Sequence, residues 1–388
     1  MLRLGYKASA EQFGPRELLE FSCLAEEVGF DSVFISDHFQ PWKHNGGHAP
    51  YSFAWLGALG ARTERIIMGT SVVTPTFRYH PSIVAQAVAT LATLSPGRVV
   101  LGIGTGESLN EVPALGIAWP GFKERQGRLR EAVELMKRLW REERVSYAGQ
   151  YYRTEKATSY DRPPDGVPIY IAASGPTAAK MAGELAEGFI CTSGKAPELY
   201  RETLLPKVEE GLARSGRKAD AIDRMIEMKV SFDHDRQRAL DDTRHWAALA
   251  LTPEEKVSVE DPVEMEKLAD ALPVERTASR WIVSTDPDEH VEKIGTYVAL
   301  GFRHLVCGFG DRVLDAVVKV LGIGRERILS VEGGGAEQGS RHGQGADAVH
   351  FRLLGQLNFM QKYTAGPLPG VRNSYFFAGV AVSMTAEA

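Results

Sequence analysis

The chain has 388 residues, enough for one large domain or two ordinary ones, and 44% are hydrophobic, the composition of a globular protein with a sizeable core. Its net charge of −5 argues against a nucleic-acid partner, whose phosphate backbone demands a basic face, but leaves room for a small anion held by a few cations. The start, MLRLGYKASAEQF, lacks the apolar stretch of a secretory signal, and no run reaches the ~18 apolar residues of a membrane helix. Three widely spaced cysteines (Cys23, Cys191, Cys307) fit reduced thiols in a cytoplasmic protein.

Strand-like and helix-like segments alternate from the first residues. LRLGYK precedes a helix in PRELLEFSCLAEEVGF, with Pro15 suited to the first helical position. SVFIS precedes SFAWLGALGAR, RIIMGTSVV precedes PSIVAQAVATLATL, and RVVLGIG is followed after a loop by FKERQGRLREAVELMKRLW. RVSYAGQYYR reads as an aromatic hairpin around Gly149. The alternation resumes with VPIYIAAS, PTAAKMAGELA, GFICTS, a helix through YRETLLPKVEEGLARS, MIEMKVSF and a helix from Asp235 to Ala250. A charged insertion follows, and then RWIVST, DEHVEKIGTYVALGF and HLVCG.

About eight strands separated by helices imply parallel strands with helical crossovers. Both a doubly wound sheet and a closed ring fit that alternation. Eight units within roughly 300 residues favour a (β/α)8 TIM barrel with loop insertions, a fold typically of ~250 residues. The barrel is expected over 1–322 and a Gly-rich tail, to which the sequence assigns no fold, over 323–388.

In such a barrel the chemistry lies at the C-terminal ends of the strands. SDHFQPWKHNGGH, Ser36 to His48, stands at the end of the second strand and offers Asp37, His38 and Trp42. Acid–base work at His38 is the favoured reading; a metal site with His44 and His48 has neither HExxH spacing nor a cysteine ligand. Trp42 alone would read as packing. GIGTGESLN, Gly102 to Asn110, lacks the third glycine of GxGxxG, and Glu107 stands where a pyrophosphate would be repelled. Glu107 is better read as a second ionisable group facing His38, a pair suited to redox chemistry with proton transfer.

AASGPTAAK sets Ser174, Gly175, Pro176 and Thr177 at a helix start, an ordinary tight turn or a phosphate cradle. Lys195, Lys256 and Arg280 read singly as solvated surface charges. Together at a barrel mouth they would clamp a dianionic phosphate, each charge-assisted bond contributing about 1.5–3 kcal/mol.

LGYKASAEQF, SDHFQPWKHNGGHAP, GTSVVTPTFRY, GTGESLNE, YYRTEKATSYD, FICTSGK, DDTRHWAALALTPEEK, DPVEMEKLADALP and RWIVSTDPDE together resemble the coenzyme F420-dependent glucose-6-phosphate dehydrogenases of the luciferase-like (β/α)8 superfamily, over roughly residues 2–306. The resemblance implies that Asp37, Thr74, Thr105, Gly106 and Asn110 hold the deazaflavin ring and ribityl chain. Ser174, Gly175, Thr177 and Ala178 would bind the cofactor phosphate, and Thr192, Lys195, Lys256 and Arg280 the 6-phosphate of glucose 6-phosphate. His38, Trp42 and Glu107 would surround the reacting centre. A non-prolyl cis peptide at Ser71–Val72 and a homodimer are also implied, with no metal.

The sequence departs from the family pattern at Ser174, where glycine is common, and after Val306. Rival readings are a related F420-dependent dehydrogenase of another sugar 6-phosphate or an alcohol, a flavin-dependent monooxygenase, and a deazaflavin-binding protein without catalysis.

Overall fold

The computed structural model describes residues 2–256 and 259–309, so the expected boundary at 322 and the tail lie outside the described residues. The strands are Arg3–Ala8 (β1), Ser32–Ile35 (β2), Ile67–Thr70 (β3), Val99–Ile103 (β4), Val145–Ala148 (β5), Arg153–Ala157 (β6), Ile169–Ala172 (β7), Gly188–Thr192 (β8), Asp223–Phe232 (β9), Ile282–Ser284 (β10) and His304–Phe309 (β11). Eight of them pair in parallel in the cyclic order β1, β2, β3, β4, β7, β8, β9, β11, and β11 pairs back with β1, so the ring is closed. This is the (β/α)8 barrel. Helical crossovers cover its outside, and β2 is buried at every position, as a strand enclosed on both faces must be.

The expected hairpin is β5 and β6, paired antiparallel. RWIVST, by contrast, is not a ring strand. Its short β10 pairs only with Val230–Phe232, the end of β9 that overhangs the ring. Nor is Asp235–Ala250 one helix. The Asp235 carboxylate caps an α-helix, Arg236–Asp241, by accepting from the N–H groups of Gln237 and Arg238 at 2.8 and 3.2 Å. A 3-10 helix follows at Arg244–Ala250, kinked at Trp246. The helix expected through Tyr200 opens as a π-helical turn, Leu199–Leu204, and becomes α-helical at Leu205–Arg214, where Pro206 occupies a first-turn position that needs no N–H.

Inside the ring, Phe34, Val100, Tyr170, Ile190, Met225 and Val306 form an apolar layer. Because alternate residues of a strand face the same side, the next inward positions belong to Ser36, Ala172, Thr192, Glu227 and Gly308, together with Lys7 of β1. All of these line one cavity of about 590 Å³ at the C-terminal mouth. The apolar layer is its floor.

Candidate active site

Of the sixteen residues singled out in the sequence, thirteen line this cavity: Asp37, His38, Trp42, Thr74, Thr105, Gly106, Glu107, Asn110, Ser174, Thr192, Lys195, Lys256 and Arg280. Gly175, Thr177 and Ala178 are not in the wall; they open the adjoining helix Pro176–Leu185.

His38 is governed by a residue that the sequence reading passed over. Its Nδ1 lies 3.1 Å from Glu11 Oε1, within ion-pair distance although off the line of a good hydrogen bond. Burial alone would push the imidazolium down. The Glu11 carboxylate, helped by Glu107 and Asp37, outweighs it and pushes the pKa up to about 9. Glu11 is fixed in turn by the Trp42 N–H, which donates to its Oε2 at 2.9 Å. Trp42 packs with Leu109, Leu251 and Met265, so its indole anchors the insertion as well as walling the site.

Glu107 lines the cavity and is exposed to solvent there, and the protein around it raises its carboxyl by desolvation, against His38 and Lys256. Gly106 places it there. With φ at +84° and only 2.9 Å between a would-be Cβ and Thr74 Cγ2, that position admits no side chain.

Asp37 lines the cavity and is also held from within the protein. Its Oδ1 accepts from the Ser52 hydroxyl at 2.6 Å, and its Oδ2 accepts from Arg78 and Tyr79, both at 2.9 Å. Arg78 also donates through Nε to Glu111 at 3.1 Å. Asn110 Oδ1 accepts the N–H groups of Phe39 and Gln40, at 2.7 and 3.1 Å, holding the loop that carries His38. Asp37, Asn110 and Arg78 therefore brace the His38 loop from within the protein. The Asp37 and Glu111 side chains are each 1% exposed, so Arg78→Met strands two carboxylates in the interior. We expect a loss of about 3–5 kcal/mol in urea unfolding.

Lys195, Lys256 and Arg280 converge in the same cavity. Among the described residues none of the three has a carboxylate in ion-pair contact. Burial, with Arg280 and Lys256 adding to it, lowers Lys195; burial and Arg280 lower Lys256, against Glu107. Lys256 Nζ sits 4.9 Å above the Trp42 ring. The Lys195 loop is pinned by the Tyr200 hydroxyl, which donates to the Thr192 carbonyl at 2.8 Å. At Gly194, with φ at +75°, a Cβ would lie 2.6 Å from the Arg280 carbonyl oxygen, so this glycine lets the two cationic segments touch. Like charges kept together in a cleft are the mark of an anion site.

The cavity also suits a flat ring with a phosphate tail. Its wall includes Ser71 and Val72, joined by a cis peptide bond where one was implied. The helix Pro176–Leu185 has no side-chain cap at Gly175, and the space where a Gly175 Cβ would stand is open. The N–H groups of Thr177 and Ala178 are thus among the uncapped donors of that helix start, ready for a phosphate.

Residues 2–304 match the family of luciferase-like monooxygenases. The F420-dependent glucose-6-phosphate dehydrogenase of Nakamurella multipartita is 67% identical over 305 residues, 79% of this chain and 90% of the relative. The enzyme of that name from Mycolicibacterium smegmatis is 61% identical over 307 residues, again 79% of this chain and 91% of the relative. The chain belongs to the F420-dependent glucose-6-phosphate dehydrogenase family. A solved F420-dependent secondary alcohol dehydrogenase, in complex with an F420-acetone adduct, superposes with a TM-score of 0.80 at 33% identity, covering 84% of this chain and 99% of its own. For a member of the F420-dependent glucose-6-phosphate dehydrogenases, one cavity is lined by both the three cations and the His38–Glu107 pair.

Proposed function

We propose that the protein oxidises D-glucose 6-phosphate to 6-phospho-D-glucono-1,5-lactone with oxidised coenzyme F420 as hydride acceptor. What carries the reading is the meeting, in one cavity, of a histidine braced by a buried acid with three cations that, among the described residues, have no carboxylate in ion-pair contact. Bound deazaflavin supplies a two-electron hydride acceptor. The chain's own task is to hold the anomeric carbon about 3–3.5 Å from that acceptor, and the cations do this through the far phosphate.

The anomeric hydroxyl must lose a proton as its carbon is oxidised. His38, in its neutral form, takes that proton, and Glu11 stabilises the imidazolium that results. Glu107, raised by its surroundings, serves as the donor of the pair. Thr74, Thr105 and Gly106 would hold the ring side of the deazaflavin, and Ser174, Gly175, Thr177 and Ala178 its phosphate end.

The alcohol dehydrogenase neighbour suggests the strongest rival substrate, a simple alcohol. Three unpaired cations argue against it, since an uncharged alcohol gives them nothing to bind. Mixing the protein with oxidised F420 and a panel of glucose, glucose 6-phosphate, other sugar 6-phosphates and secondary alcohols should bleach the coenzyme's absorbance and fluorescence with glucose 6-phosphate. Bleaching by an alcohol alone would overturn the assignment. Free Cys23, Cys191 and Cys307 support a cytoplasmic location, and among the described residues no helix is long and apolar enough to cross a membrane. Exposed Ile83 and Leu94 on the helix Pro81–Leu94 support a homodimer, which light scattering of the same preparation tests.

A further inference from the structure

Lys229 is used neither by the hydride site nor by the loop cations. It lies on β9, its Cα in register with Gly308 of β11, and its side chain lines the cavity. Gly308 contributes no side chain, and a Cβ there would stand 3.5 Å from Lys7 Cβ. Glu227, two residues earlier, is already engaged: its Oε1 accepts from Lys7 Nζ at 2.8 Å and from the Ser71 hydroxyl. Among the described residues Lys229 makes no hydrogen bond and no ion pair at contact distance.

The charges that face Lys229 come from four segments. They are Glu227 on its own strand, Lys7 on β1, Lys195 after β8 and Arg280 before β10. One acid thus stands against three cations. Burial, with Lys7, Arg280 and Lys195 adding to it against Glu227, pushes the ammonium down to about 8. A cation enclosed in this way is unfavourable until a counter-charge arrives.

We propose that Lys229 is a fourth arm of the anion site, reaching the sugar's phosphate from inside the ring while Lys195, Lys256 and Arg280 close on it from the loops. The inference deepens the functional reading above and rests on it. It also has a consequence that packing alone would not produce. Near pH 8 part of the Lys229 population is the neutral amine, and a dianion placed beside it draws a proton from solvent to form the ammonium. Binding of phosphate is therefore coupled to proton uptake at Lys229 Nζ.

The test is calorimetric titration of the full chain with inorganic phosphate and with glucose 6-phosphate, at about pH 8, in two buffers of different ionisation enthalpy. The unaltered protein should take up roughly half a proton per phosphate bound. Lys229→Arg, whose guanidinium is always charged, should bind with that uptake lost. Lys229→Met should lose the uptake and bind ~10- to 100-fold more weakly. Lys195→Met should weaken binding and keep only part of the uptake, because losing that neighbouring cation already favours the Lys229 ammonium before phosphate arrives. Retention of uptake in Lys229→Arg overturns the inference, and so does wild-type affinity in Lys229→Met; a weakened Lys195→Met then leaves the functional reading standing. Wild-type binding by both methionine variants overturns the anion site itself. The arginine variant keeps the charge and decides the matter even if methionine disturbs the barrel.

Discussion

Replacing His38 with alanine should lower kcat by about 10³-fold and leave coenzyme F420 binding nearly unchanged, because the imidazole acts on the substrate's proton. Its environment predicts the pH dependence as well. The pair with Glu11 holds the imidazolium up to about 9, so the neutral base appears only as pH rises through that value. At pH 7 roughly 1 molecule in 100 carries the base form, so kcat/KM for glucose 6-phosphate should rise with pH toward 9, less steeply than tenfold per unit wherever Glu107, the donor of the pair, is losing its proton. Glu11→Gln removes the largest raising influence and leaves burial, which lowers. Its profile should therefore turn over well below 9, with a lower plateau, because a less basic imidazole is a weaker proton acceptor. Rate profiles of the two proteins side by side decide the point. If they superimpose, Glu11 does not set the His38 proton affinity.

The barrel was legible because its strands are short apolar runs separated by amphipathic helices, a pattern that one sequence displays locally. The rule that chemistry follows strand ends found His38 after β2 and Glu107 after β4. RWIVST shows the limit of that reading. Its run of apolar residues resembles any ring strand, and only closure through β11 and β1, more than 290 positions apart in the chain, excludes it. The Asp235–Ala250 break was hidden because helical spacing persists across the kink at Trp246.

Glu11 escaped because its importance lies in partners 27 and 31 residues away, His38 and Trp42, although its place just beyond β1 obeys the same strand-end rule. Lys7 and Lys229 did leave a signal. A lysine inside a strand that must be buried on both faces needs a reason, and here the reason is the cavity. The helix start at Gly175 and the cations Lys195, Lys256 and Arg280 read locally as a phosphate cradle and a phosphate clamp. Which phosphate each would take came from the family resemblance alone. For Asp37 no local signal marked its structural partners, Ser52, Arg78 and Tyr79, the first of which lies on the next helix.

Alanine at Lys195 or Arg280 should raise the KM for glucose 6-phosphate by about 10- to 100-fold with kcat changed much less, since each charge acts on a phosphate remote from the reacting carbon. The losses should not add. Arg280 and Lys256 both lower the Lys195 ammonium, so removing one cation strengthens the protonated form of its neighbour. The double variant Lys195→Ala/Arg280→Ala should therefore fall short of the product of the single effects. Lys256→Ala should behave differently. Its ammonium sits over the Trp42 ring and lowers Glu107, so its removal should reduce kcat as well as raise KM, and shift the pH profile where Glu107 titrates. Steady-state kinetics with glucose 6-phosphate and with free glucose separate these outcomes. The unaltered protein should turn over glucose very poorly, and the Lys195 and Arg280 variants should narrow that preference by worsening the phosphate ester alone. Equal turnover of glucose and its 6-phosphate by the unaltered protein would mean that the converging cations serve some other anion.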